Sequence, residues 1–270
     1  MTDLHHPDDA LAKLVTGFIT ARLAHTPLGR QATRVEMSGL LHGAITESGL
    51  GVNVAWDLFT GSVVPNNIGL GSERFLAFIP VSPSTAGVWM DAAVSAGNFS
   101  AESWLEASGA VAAENQVLDW LAGVIGFPAG SGGCFMSGGS IGNLSALAVA
   151  RDHAGGRRGI AVADTAHASV GNALHLLGLD AVTVPTGPDG RFTAAALAHT
   201  LGDRRDVGIV CAAGGSTNAG VVDELDGLAD VCATEDLWLH VDAAYGGAAL
   251  LVDDTRPLFA GIDRADSVSR

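Results

Sequence analysis

The first strong pattern along the chain is helical. Between residues 8 and 25, Leu11, Leu14, Val15, Phe18 and Ile19 recur at the i, i+3, i+4, i+7, i+8 spacing of one apolar helix face. Such a helix packs either on its own domain or on a second subunit, and the pattern alone does not choose. A second helical stretch covers 101–125, with Leu105, Val111, Val117, Leu118, Leu121 and Ile125 at its apolar positions. The period then changes. Short β-rich runs occupy 159–163, 181–184, 207–211 and 237–241, each between helix-like segments and several apolar on both faces. Strands of this kind, alternating with helices, predict a mostly parallel sheet covered by helices.

Composition narrows the field. A length of 270 residues allows one large α/β domain or two small ones. The net charge of −15 argues against nucleic acid and against an anionic membrane surface, since both need clustered Lys and Arg. No apolar run approaches the ~18 residues of a membrane-spanning helix. The segment Met1–Asp9 is polar and acidic, unlike a secretory leader, so a cytoplasmic protein is expected. The three cysteines, Cys134, Cys211 and Cys232, show no C-x-x-C spacing and are expected to be buried free thiols.

Four segments carry candidate chemistry. Gly132-Gly133-Cys134-Phe135-Met136-Ser137-Gly138-Gly139-Ser140-Ile141-Gly142-Asn143-Leu144 runs through a glycine turn into a helix predicted over 140–152. Glycines let the backbone approach an anion, Ser140 is placed to cap the helix, and a helix N-terminus attracts phosphate. By itself such a turn is equally well purely structural. Asp164-Thr165-Ala166-His167-Ala168-Ser169-Val170 follows a strand, so His167 stands where ligands of α/β folds bind, although a lone histidine there also serves as a surface or capping residue. Ala213-Gly214-Gly215-Ser216-Thr217-Asn218-Ala219-Gly220-Val221-Val222-Asp223 follows another strand, and Asp223 is expected to cap a helix. In Leu239-His240-Val241-Asp242-Ala243-Ala244-Tyr245-Gly246-Gly247, His240 and Asp242 share one strand face. A metal pair is conceivable there, but no third ligand is identifiable, so no metal site is expected.

Together the four segments resemble the pyridoxal-phosphate (PLP) dependent amino-acid decarboxylases that include the aromatic amino-acid and glutamate decarboxylases. The likeness runs from about Glu73-Arg74-Phe75 to Arg270. It implies an α/β chain of PLP-dependent transferase fold type I, whose large domain has a mostly parallel sheet flanked by helices, in truncated form. It also implies an N-terminal helical arm and linker over 1–80 and a PLP-binding large domain over 81–270, incomplete at its C-terminal end. On this resemblance Gly139 and Ser140 hold the cofactor phosphate, His167 stacks on the pyridine ring, Thr217 contacts the cofactor, Asp242 pairs with the pyridine nitrogen, and Ala244 packs on the face opposite His167. His167 and Asp242 are then the catalytic pair, and an amino acid is the substrate of a homodimer.

The family carries its cofactor on a lysine in a segment reading roughly A-D-S-x-x-x-x-x-H-K. Ala265-Asp266-Ser267-Val268-Ser269-Arg270 matches its beginning. The one lysine of the chain is Lys13, on the predicted N-terminal helix, so these residues alone are expected to be inactive. Two alternatives stand beside a decarboxylase: another fold-type-I PLP reaction, such as desulfuration, aldol cleavage or transamination, and a non-catalytic chain that only binds PLP or dimerises.

Overall fold

The computed structural model describes residues 9–79 and 81–270. The polar start of the chain and Pro80, at the expected domain boundary, lie outside the described residues. Contacts divide the chain into two units, up to Phe99 and from Ser100 to Arg270.

The first unit is helical. α1 (Asp9–Ala24), α2 (Arg34–Leu40), α3 (Val52–Leu58) and α4 (Thr85–Gly97) are short. α2 starts at a capping box, in which Thr33 Oγ1 accepts from the Glu36 N–H and Glu36 accepts from the Thr33 N–H. α4 opens on Ser84 and closes on Asn98 in the left-handed region, φ 49°. Phe18 of α1 meets the rings of Trp56 and Phe59 edge-on, at 5.9 and 5.5 Å between centroids. None of the four helices contributes a fully buried residue. The apolar face of α1 is thus only partly covered by its own unit.

The second unit is an α/β sandwich. α5 (Trp104–Ile125) leads to α6 (Gly139–His153), and then strands and helices alternate: β1 (Gly159–Ala163), α7 (Ala168–Leu177), β2 (Asp180–Val184), α8 (Ala194–Leu201), β3 (Val207–Ala213), α9 (Leu225–Glu235), β4 (Trp238–Asp242) and β5 (Ser267–Ser269). The five strands are all parallel, in the order β2-β1-β3-β4-β5. Three of the four predicted strands hold to within one residue at their shared ends, and β3 runs two residues further, to Ala213.

Side chains of successive strand residues enter opposite cores. Ile160, Val162, Ile209 and Cys211 pack under Leu147, Val170 and Leu174 of α6 and α7. Ala161, Val182, Val210, Leu239 and Val241 pack under Leu197, Leu225 and Leu228 of α8 and α9. By the same alternation His240 and Asp242 turn toward α6. Cys211 and Cys232 are buried free thiols as expected, whereas Cys134, in the glycine turn before α6, is exposed. Burial pushes the Cys232 thiol up to about 12 and Cys211 higher still, which leaves both unreactive.

Candidate active site

The candidate residues gather at the C-terminal ends of the parallel strands. His167 follows β1 and Thr217 follows β3, and β1 lies between β2 and β3, so the two loops flank the point where the chain reverses its direction across the sheet. Open α/β sheets bind ligands at such a switch point.

The N-cap of α6 is Gly138, whose φ of 144° suits glycine, and no side chain caps the helix. The expectation that Ser140 caps this helix is therefore corrected: Ser140 lies inside the first turn and is exposed. The leading N–H groups of α6 are left for an external acceptor. Gly139 needs its lack of a side chain, since a Cβ there would stand 2.7 Å from Cβ of Ala244. The glycine turn and the residues after β4 thus meet at van der Waals distance.

His167 is the N-cap of α7, with Nδ1 accepting the Ser169 backbone N–H at 3.2 Å. Its ring is otherwise exposed, so capping and ring contact are compatible. Asp242 ends β4 half-buried. Its Oδ2 accepts from Asn143 Nδ2 at 2.7 Å, and its Oδ1 accepts from the Ala244 N–H at 3.2 Å. Thr217 sits exposed on the turn after β3, a turn anchored to the end of β4 by the Gly214 N–H donating to the Asp242 carbonyl at 2.8 Å.

Asp223 does not cap α9. Its carboxylate accepts the Ala213 and Phe192 N–H groups at 2.6 and 2.9 Å, stapling the end of β3 to the segment before α8. The flanking Glu224 takes the N-cap position without a side-chain capping bond, its carboxylate accepting the Ala194 N–H at 2.9 Å instead. The turn sequence pointed to a cap, but the buried ends of two neighbouring segments held stronger unsatisfied donors. Among the described residues no cluster of His, Cys, Asp and Glu is arranged to hold a metal ion.

Sequence reasoning assigned no role to the polar residues beneath this surface. Asn143, Ser169, His240 and Ser269 are all buried, and they bond to one another or to Asp242. Asn143 stands one helical turn after Gly139 and so shares its face of α6; that spacing was the available signal.

Residues 63–270 match the pyridoxal-dependent decarboxylase conserved domain. The chain belongs to this family. An aromatic-L-amino-acid decarboxylase of Bacillus atrophaeus is 36% identical over 207 residues, which take in 73% of this chain and 43% of that protein. The crystal structure of mouse CSAD superposes with a TM-score of 0.87 at 26% identity, covering 96% of this chain and 59% of that one. The Oryza sativa TDC structure with PLP and tryptamine gives 0.84 at 27% identity, over 95% and 60%. The chain thus spans under half the length of the curated relative and about three fifths of the solved chains.

The residues of this decarboxylase-family domain fit PLP. An uncapped helix N-terminus suits its phosphate, a carboxylate held by two N–H donors suits its ring nitrogen, and the glycine at 139 lets the helix start approach the residues after β4. Burial pulls His240 down to about 4 from its usual 6.5 and pushes Asp223 up to about 6 from 3.8. The signs oppose. Unfolded His240 binds a proton that the folded ring refuses between pH 6.5 and 4, so its contribution of about 3 kcal/mol, present above pH 6.5, is lost as the pH falls through that window. Folded Asp223 binds a proton below about pH 6 and the unfolded residue only near 3.8, so its contribution is present below pH 3.8 and lost as the pH rises through 6. Asp223→Asn is therefore expected to steepen the fall in stability between pH 6 and 4, measured by urea unfolding across that range. An unchanged slope would show that Asp223 does not titrate there.

Proposed function

We propose that this chain carries the cofactor-binding part of a PLP-dependent amino-acid decarboxylase, a carboxy-lyase, working in the cytoplasm as a homodimer. The observation that carries the reading is Asp242, a carboxylate fixed by two N–H donors at the end of β4, beside an uncapped helix start. The decarboxylases it resembles support the reaction class. The half-covered apolar face of α1 supports a second subunit. Among the described residues no helix is long and apolar enough to cross a membrane.

When bound, PLP supplies a ring that takes up the electron pair left at the substrate Cα as carbon dioxide departs. The chain's own residues prepare that ring. The first N–H groups of α6, at Gly139 and Ser140, bind the phosphate dianion with the help of the helix dipole. Asp242 holds a proton on the pyridine nitrogen, because an adjacent negative charge favours the charged form. His167 would cover a face of the ring, Ala244 would leave room beside it, and Thr217 would contact the cofactor from the turn after β3.

The attachment lysine is not supplied by these 270 residues. Lys13 is exposed on α1 of the first unit. PLP added to the chain is expected to dialyse away, and borohydride treatment followed by peptide mapping is expected to leave no pyridoxyl label. A label on Lys13 together with release of carbon dioxide from an amino acid would overturn this part of the proposal.

A further inference from the structure

The hydrogen-bond directions beneath the site are fixed by one side chain. Asn143 on α6 is 1% exposed, and all four hydrogen-bonding positions of its amide are taken. Its Nδ2 donates to Asp242 Oδ2 at 2.7 Å and to Ser169 Oγ at 3.1 Å. Its Oδ1 accepts from Ser269 Oγ at 2.5 Å and faces His240 Nε2 at 3.1 Å. A flipped amide would set its oxygen against the Asp242 carboxylate, so the orientation is unambiguous.

Protons can then be placed. Asn143 Oδ1 only accepts, so His240 carries its hydrogen on Nε2. The buried neutral ring accepts at Nδ1 from Ser267 Oγ, 2.9 Å away, and Ser267 in turn accepts from Trp238 Nε1 at 3.0 Å. On the other branch, His167 Nδ1 accepts the Ser169 backbone N–H and lies 2.8 Å from Ser169 Oγ, which donates to it. His167 therefore carries its hydrogen on Nε2. One chain of directed bonds joins Trp238, Ser267, His240 and Asn143, then forks to Asp242 and, through Ser169, to His167.

We propose that Asn143 is a positioning residue that sets both ring-contacting groups at once, holding the Asp242 carboxylate in line for a ring nitrogen and, through Ser169, holding His167 in its Nε2–H tautomer. This rests on the PLP reading above. Asn143 touches no part of the cofactor in this scheme. It acts by spending its two N–H groups on the two residues that do, and β5 supplies the backing through Ser267 and Ser269. Buried networks of this sort gain precision only when every member is satisfied.

The test separates positioning from simple support of the fold. The wild-type chain and Asn143→Leu are titrated with PLP and with a carbocyclic analogue whose ring nitrogen is replaced by C–H. At metal sites, losing a residue that orients a ligating side chain costs roughly 10- to 100-fold in affinity. A loss of that order is expected here for PLP and a clearly smaller one for the analogue, because the His167 branch acts on both ligands and only PLP offers Asp242 a ring nitrogen. Equal losses for both ligands would mean a structural role only and would overturn the proposal. Asn143→Ala replaces the leucine variant if the latter does not fold. Failure of the wild type to bind PLP would instead sink the cofactor reading. Asn143 positioning then stands or falls on the cofactor-free chain, in which long-range 1H–15N correlations are expected to show His240 and His167 both as Nε2–H tautomers. A Nδ1–H form at either ring contradicts the network.

Discussion

Asp242→Ala is expected to weaken PLP binding by roughly 30-fold to several-thousand-fold. Truncating one partner of a hydrogen-bonded charge pair shielded from water costs about 2–5 kcal/mol, much of it from the partner left unpaired. Here the stranded partner is the protonated ring nitrogen. The variant also leaves Asn143 Nδ2 without its 2.7 Å acceptor. Equilibrium titration by ring absorbance or by quenching of protein fluorescence reads the effect. Because the phosphate contacts at α6 are untouched, inorganic phosphate should show the same dissociation constant in both proteins. A loss smaller than about threefold would mean that Asp242 does not meet the ring.

Gly261→Ala is expected to be among the most destabilising single-methyl changes. Gly261 lies at φ +90°, and a Cβ there would stand 2.4 Å from Cα and 2.5 Å from N of Asp226, in the first turn of α9. Both atoms are backbone, so no side chain can swing away. The same turn is clamped by Arg264, which bonds Asp226 and Asp230 at 2.7 Å each. Strain and overpacking together suggest roughly 3–5 kcal/mol, or a fall of about 6–20 °C in melting temperature for a chain of this size. Gly109→Ala is the control. Gly109 sits exposed within α5 with nothing within 4 Å of an added Cβ, and there alanine should stabilise by up to about 1 kcal/mol. Equal melting temperatures for the two variants would show that the Gly261 turn yields freely.

The sheet was legible because its strands announce themselves. Runs such as 159–163 and 207–211 are apolar on both faces, and a strand apolar on both faces needs a helix on each side. The four motifs lie at the strand ends and at the start of α6. Local reading failed where a polar side chain answers to a distant segment. Asp223 looked like a cap, and it serves Ala213 and Phe192 instead, the latter 31 residues away. Asn143 reads as one more polar residue of a helix, and its four partners come from α7, β4 and β5, up to 126 residues away. Pairings of that range carry no periodicity. Likewise Cys134 resembled the other two thiols in sequence and differs from them only because the glycine turn leaves it uncovered.

The central claim is that Asp242 meets the ring nitrogen of bound PLP. PLP labelled with 15N in the ring reports this directly when bound to the chain at neutral pH. The account predicts a pyridinium shift in the wild type and a neutral pyridine shift in Asp242→Asn. A neutral ring nitrogen in the wild type, or the same shift in both proteins, would contradict it.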